Sequence, residues 1–279
     1  MSFSNSDTRL DFLCIGPQRT ASSWLQEVLQ CHPSVCLPKG VKETMFFDLR
    51  YAKGLDWYNW HFEHSSEGQK CGEIAPTYFD SPEACERIVS LRPNIKIIIM
   101  VRNPIERTFS LYRHHFSKGR IGVDFQTALS MHPELISSSK YSQHATYWES
   151  AIPRDQIAYI WQDEVVTDPE AVLSKICDFI GLPRLETLPA IARDVVNHAT
   201  APKSKLLAFT LSSISTALRS ARLYKIVDIA KSFGLKSVFE GGKPIEPMTA
   251  DTKKQLAAEF EPDIAWLESH LKRDLSDWR

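Results

Sequence analysis

The chain has 279 residues, of which 43% are hydrophobic and 24% charged, and its formal net charge at pH 7 is −1. That length and balance suit one large α/β domain or two small ones with a real core. A near-neutral chain offers no global electrostatic reason to expect nucleic acid as a partner. No apolar run reaches transmembrane length, so stable membrane insertion is not expected.

The first residues, Met1 to Asp7, carry neither a basic start nor an apolar run, so no secretory leader and a cytoplasmic location are expected. Asp11 to Gly16 reads as a short buried strand ending in glycine. Ser22 to Cys31 sets Trp24, Leu25, Val28 and Leu29 at helical spacing. Pro82 to Leu91 reads as a second helix with Ala84, Ile88, Val89 and Leu91 inward. Lys96 to Val101 is a continuous apolar run, which suits a central parallel strand covered on both faces. Asn103 then reads as an N-cap and Pro104 as the first residue of a helix carrying Ile105, Phe109, Tyr112 and Phe116. Gln156 to Trp161 is a further strand. Asp168-Pro169 opens a helix with Val172, Ile176, Phe179 and Ile180 on one face and Gly181 at its end. Thr249 caps a last long helix with Leu256, Phe260, Ile264, Leu267 and Leu271 inward. Strands alternating with helices predict an α/β fold: a central parallel β-sheet flanked by helices, with ligands bound outside the carboxyl ends of the strands. The six cysteines form no C-x-x-C pair and read as reduced core thiols, a Cys31–Cys36 disulfide being the lesser alternative. Histidines and cysteines show no ligand spacing, so no metal site is expected.

Two loops leave strand ends with distinctive chemistry. The first, Gly16-Pro17-Gln18-Arg19-Thr20-Ala21-Ser22-Ser23-Trp24, joins a strand to a helix N-terminus, where free amides and the helix dipole favour anions. Arg19 adds charge, and Thr20, Ser22 and Ser23 add hydroxyls. A triphosphate loop counted from Gly16 would place Gly and Lys at the positions of Ala21 and Ser22, so the usual ATP/GTP reading fails. The plainer alternative is an ordinary helix start with a surface arginine. In the second loop Arg102 ends the central strand and Ser110 follows eight residues later. Arginine suits forked contact with a second phosphate; the plainer alternative pairs Arg102 with Glu106.

Together the loops resemble the two nucleotide signatures of the sulfotransferase family, whose donor is 3′-phosphoadenosine 5′-phosphosulfate (PAPS). Arg19-Thr20-Ala21-Ser22-Ser23-Trp24-Leu25 resembles the 5′-phosphosulfate loop, and Arg102 with Ser110 the 3′-phosphate motif. Lys42-Glu43-Thr44-Met45-Phe46-Phe47-Asp48, Gly72-Glu73-Ile74-Ala75-Pro76-Thr77-Tyr78, Asp178 to Leu182 and Arg273 to Trp278 resemble, in order, segments of the bacterial and heparan-type branch. Four departures stand out: Arg19 replaces the usual lysine, Ala21 the usual glycine, and Met45 and Ile74 a histidine and a lysine of some heparan-type members.

The resemblance implies a P-loop-like sulfotransferase fold in a single domain over 1–279. It further implies in-line transfer of a sulfuryl group from PAPS to a hydroxyl or amine, releasing adenosine 3′,5′-bisphosphate (PAP), with no metal required. Arg19, Thr20, Ala21, Ser22, Ser23, Trp24, Arg102, Ser110 and Lys203 would hold the nucleotide. Glu43 would be the base and Arg19 would stabilise the leaving group. The apolar Met45-Phe46-Phe47 flank would desolvate Glu43, and pairing with Lys42 is its plainer role. A histidine base is the rival, with His61, His64, His114, His115, His144 and His198 as candidates. Phe47, Asp48, Tyr78, Tyr141 and His144 are candidates to touch the acceptor. Residues 205–245 read as a helical acceptor lid, and within them Leu206 to Lys236 read alternatively as a peripheral membrane helix or, most plainly, as helices packed on the core. The acceptor stays open among polysaccharide, lipid and small natural product; the cytoplasmic character and the lost heparan-type residues favour a small molecule, such as a product of secondary metabolism. A nucleotide or metabolite kinase and a non-catalytic PAP-binding protein are the other function classes weighed.

Overall fold

A computed structural model of the chain describes residues 8–190 and 245–279. These fall in two compact units, one of residues 8–102 and 141–190, the other of 103–140 and 245–279. The strands are β1 (Leu10–Gly16), β2 (Val35–Cys36), β3 (Lys70–Ile74), β4 (Lys96–Val101) and β5 (Ile157–Trp161). The helices are α1 (Ser22–Gln30), α2 (Leu55–Asn59), α3 (Pro82–Leu91), α4 (Pro104–Ser117), α5 (Phe125–Met131), α6 (Glu134–Ser137), α7 (Tyr141–Ala151), α8 (Gln162–Thr167), α9 (Pro169–Ile180) and α10 (Ala250–Leu271).

All five strands lie in the first unit and form one parallel sheet in the order β2-β3-β1-β4-β5. Successive side chains on a strand point to opposite faces. On β1, Phe12 and Cys14 point one way and Leu13 and Ile15 the other, and all four have no exposed surface. That two-sided burial explains the continuous apolar runs of β1 and β4. Phe12, Cys14, Ile98 and Met100 share a core layer with Trp24, Leu25 and Val28 of α1 and with Val172, Leu173 and Ile176 of α9. β3 approaches β1 closely because residue 72 is glycine: a Cβ there would sit 2.2 Å from the Phe12 ring.

The helix punctuation follows the expected chemistry. Asn103 accepts from the amides of Ile105 (2.9 Å) and Glu106 (3.4 Å), Asp168 from Ala171 (3.0 Å) and Thr249 from Thr252 (3.2 Å). Gly181 closes α9 in the left-handed conformation. Two findings depart from the sequence reading. β2 and β3 are strands that periodicity does not announce: one is two residues long, and the other carries Lys70, Gly72 and Glu73. The inward face of α3 is Ala84, Cys85 and Ile88, while Val89 and Leu91 are half-buried. All six cysteines are free thiols, Cys31 exposed and the other five buried, so the alternative disulfide does not form.

In the second unit, α4, α5, α6 and α10 pack together. Arg107, fully buried on α4, donates to the hydroxyls of Ser138 and Ser139. Lys140 meets Glu259 of α10 at 2.6 Å. Among the described residues, no helix is long and apolar enough to cross a membrane, and no group of three or more His, Cys, Asp or Glu could hold a metal ion.

Candidate active site

β1 lies between β3 and β4 in the sheet, with the chain passing to opposite sides of it. That is the switch point outside which open α/β sheets bind ligands. β1 ends here in the first loop, and β4 ends here at Arg102. Gly16 (φ 96°) packs against Pro76 so closely that a Cβ would lie 2.6 Å from the Pro76 Cα, which demands glycine. Arg19 (φ 70°) and Ala21 (φ 71°) are both left-handed, a backbone habit that gathers N–H groups into anion-binding concavities. Thr20 is buried, and its hydroxyl donates to the Pro17 carbonyl at 2.6 Å, bracing the loop. No side chain caps the α1 N-terminus, and no acid stands in its first turn. The first amides of α1 are thus disposed toward an external anion. Trp24 buries its ring in the core, so its part in such a site is its backbone N–H.

Arg102 joins this loop directly: its Nη1 donates to the Arg19 carbonyl at 3.0 Å. The Arg102 amide donates to the hydroxyl of Tyr141, itself fully buried, at 3.1 Å. Tyr141 therefore holds the exit of β4. Ser110 is half-buried on α4 in the second unit. Lys203 and the suggested lid up to residue 244 lie outside the described residues.

Glu43 is tied to the same loop through Lys42. The Lys42 ammonium is 3.1 Å from the Ser23 hydroxyl, 3.5 Å from that of Ser22 and 3.4 Å from Glu43 Oε1. The pairing expected as the plainer role of Glu43 is thus present, and the same lysine links it to the loop hydroxyls.

Beneath Glu43 lies a polar cluster inside an aromatic shell. Glu73 of β3 has no exposed surface. Its Oε1 accepts from the Thr44 amide at 2.5 Å, and its Oε2 accepts from the Tyr58 hydroxyl at 3.0 Å. Burial pushes the Glu73 carboxyl up to about 7; the bonds from Thr44 and Tyr58 oppose the rise, and the charge of Glu43 adds to it. The Tyr78 hydroxyl accepts from the amides of Phe46 (2.9 Å) and Phe47 (3.4 Å). Burial, then the charge of Glu73, pushes the Tyr58 and Tyr78 phenols well up. Arg50 donates to the Thr44 carbonyl at 2.5 Å, and Arg87 to that of Phe47 at 2.6 Å. The Phe47 ring lies 5.1 Å from that of Tyr58 and 5.8 Å from that of Tyr78.

Phe47 and Tyr78 therefore support the loop from below, with no exposed surface. Asp48 accepts the Thr77 hydroxyl at 2.7 Å, and His144 is half-buried with its ring 5.3 Å from that of Phe79. Of the rival histidines, His61 is buried and donates from Nδ1 to the Trp57 carbonyl (3.0 Å), while His64 sits 3.5 Å from Cys36 Sγ. The second unit holds a cavity of about 370 Å³ lined by Tyr112, Phe116, Val123, Phe125 and Met248, and none of the candidate residues borders it. Two residues not proposed for the site from the sequence, Lys42, read only as a partner of Glu43, and Glu73, prove central to this geometry. For Glu73 the signal was a lone carboxylate in an apolar strand, which must find partners once buried.

The parallel sheet and the loop running from its central strand into α1 define the P-loop-like class of α/β proteins. Within that class the chain belongs to the sulfotransferase domain family, a family of PAPS-dependent sulfotransferases, whose model matches residues 9–220. It is 30% identical over 190 residues to the bifunctional heparan sulfate N-deacetylase/N-sulfotransferase 1 of Caenorhabditis elegans, covering 62% of this chain and 22% of that protein. It is 30% identical over 183 residues to human heparan sulfate glucosamine 3-O-sulfotransferase 6, covering 63% and 53%. The chain thus spans between 22% and 53% of the length of these curated relatives. A sulfotransferase from Alicyclobacillus acidocaldarius shares the fold, with a TM-score of 0.71 over 98% of this chain and 99% of that one at 22% identity.

Proposed function

We propose that this chain transfers the sulfuryl group of PAPS to a hydroxyl or amine of a small acceptor, with Glu43 as the base. One observation carries the reading: the Lys42 ammonium stands between Glu43 and the Ser23 hydroxyl, so the proton acceptor and the anion loop are neighbours. The donor set fits a phosphosulfate group. It offers loop amides turned by two left-handed residues, an uncapped helix start, serine hydroxyls and the cations Arg19, Lys42 and Arg102, with no carboxylate within the loop itself.

Glu43 takes the proton from the acceptor as its oxygen or nitrogen bonds to sulfur. The sulfur–oxygen bond to the 5′-phosphate breaks, and the electron pair leaves with PAP. Arg19, the loop amides and Lys42 offset the charge that grows on the bridging oxygen and the sulfuryl oxygens. Arg102 holds the 3′-phosphate, and Ser110 and Lys203 are the further candidates for the nucleotide. Asp48 and His144 are the remaining candidates to meet the acceptor.

Calorimetric titration with PAP, AMP and Mg·ATP tests the site. PAP is expected to bind without Mg²⁺ and ahead of AMP, and Arg102→Ala to lose that preference by about 10-fold or more, the size of one charge-assisted contact. Glu43→Gln is expected to keep PAP affinity while transfer of labelled sulfuryl to an acceptor panel falls at least about 100-fold. Preference for Mg·ATP would mean a kinase. PAP binding with no turnover, and no effect of Glu43→Gln, would mean a nucleotide-binding protein without catalysis.

A further inference from the structure

The loop that carries Glu43 is anchored from below at one point of opposite polarity to its surroundings. Thr44, the next residue, gives its amide to Glu73 and its carbonyl to Arg50. Glu73 is gripped in turn by Tyr58 of α2. Tyr78, 3.5 Å from Glu73 Oε2, takes the next two amides of the loop, those of Phe46 and Phe47. Met45 between them is left-handed (φ 51°), so the backbone reverses over this cluster. A carboxyl buried on a strand must find a partner for each oxygen, and here the Thr44 amide holds one and the Tyr58 hydroxyl the other.

Resting on the reading of Glu43 as base, we propose that Glu73 is its positioning residue: a buried carboxyl that fixes the Thr44 amide and holds the loop over α2 and β3. Its carboxyl is the acceptor on which the Thr44 amide, and with it the placement of Glu43, depends. The titratable groups facing Glu73 are Tyr58 from α2, Tyr78 from the turn after β3 and Glu43 from the loop, with Lys42 facing Glu43. Tyr58 and Tyr78 stay protonated at working pH, and each offers its hydroxyl to Glu73. With its carboxyl pushed up to about 7, Glu73 is largely neutral below that pH and acts through its hydrogen bond to the Thr44 amide rather than through charge. Removing that acceptor releases the loop that places Glu43.

Glu73→Gln tests this, because glutamine keeps the shape and the acceptor for the Thr44 amide. PAP affinity by calorimetry is expected to stay within about twofold. kcat of Glu73→Gln is expected to stay within about threefold, whereas Glu73→Leu, which removes the acceptor, is expected to lower kcat at least about 10-fold at unchanged PAP affinity. Wild-type kcat in a folded Glu73→Leu, or loss of kcat and PAP affinity together, overturns the proposal and leaves Glu73 a structural residue. A second measurement needs neither turnover nor a folded Glu73 variant. Carboxyl ¹³C resonances of the wild type and Glu43→Gln are titrated, and the Glu73 midpoint, near 7 in the wild type, is expected to move down when the Glu43 charge is gone. A Glu73 resonance indifferent to Glu43, or one titrating as an ordinary surface carboxylate, sinks the idea. The base assignment fails separately: Glu43→Gln with wild-type turnover refutes it whatever Glu73 does. A dead Glu43→Gln enzyme beside a fully active Glu73→Leu refutes the Glu73 proposal alone.

Discussion

Single residues of the first loop explain why its departures from the family pattern are tolerated. Ala21 adopts φ 71° and ψ 18°, the left-handed region that glycine enters freely and alanine only at a cost. The family's usual glycine at this position is therefore a backbone requirement, which this chain meets with a strained alanine. Ala21→Gly is expected to raise stability by about 0.5–1 kcal/mol, the relief of strain outweighing the added freedom of the unfolded chain. Urea unfolding of the two proteins measures it, and a loss of stability would show that the alanine methyl packs more than it strains. Arg19 is left-handed too, and Arg102 holds its carbonyl. One guanidinium thus stabilises a turn that the residue itself disfavours.

Secondary-structure elements divide by how much of their physics is local. β1, β4, α1, α4 and α9 could be read from the chain because burial on both faces or along one stripe leaves a periodic trace, and because Asn103, Asp168, Thr249 and Gly181 sit where helix ends need them. β2 and β3 left no such trace. Their pairing is dictated by contacts with β1, and β3 interrupts its apolar run with Gly72, for Phe12, and Glu73, for the loop above. The candidate site divides in the same way. Arg19, Glu43 and Arg102 stand out by type and spacing, whereas the reach of Lys42 to Ser23, nineteen positions away, exists only in three dimensions. Capping offers a test at this scale: Asn103→Ala removes the acceptor for two amides of α4 and is expected to cost about 1 kcal/mol. An unchanged unfolding midpoint would mean that Pro104 and packing alone define the helix start.

For the molecule as a whole, the proposed nucleotide binding would be linked to folding. A ligand that binds only the native chain at 100 times its dissociation constant adds about 2.7 kcal/mol of stability. PAP at that excess is expected to raise the melting temperature without Mg²⁺, AMP at equal concentration to raise it less, and a flat response to PAP would count against the site. The distribution of the thiols has a practical consequence for following that binding. Cys31 is exposed immediately after α1, while Cys14, Cys36, Cys71, Cys85 and Cys177 are buried. Burial also pushes the Cys14 thiol up to about 12, far from a reactive thiolate. A maleimide dye added to the native wild-type chain would therefore attach at one position, with no engineered cysteine and no background of labelled sites. The nine-residue α1 puts that position about 13 Å from the first loop. At that range a fluorophore would sense a nucleotide arriving at the proposed site without touching it.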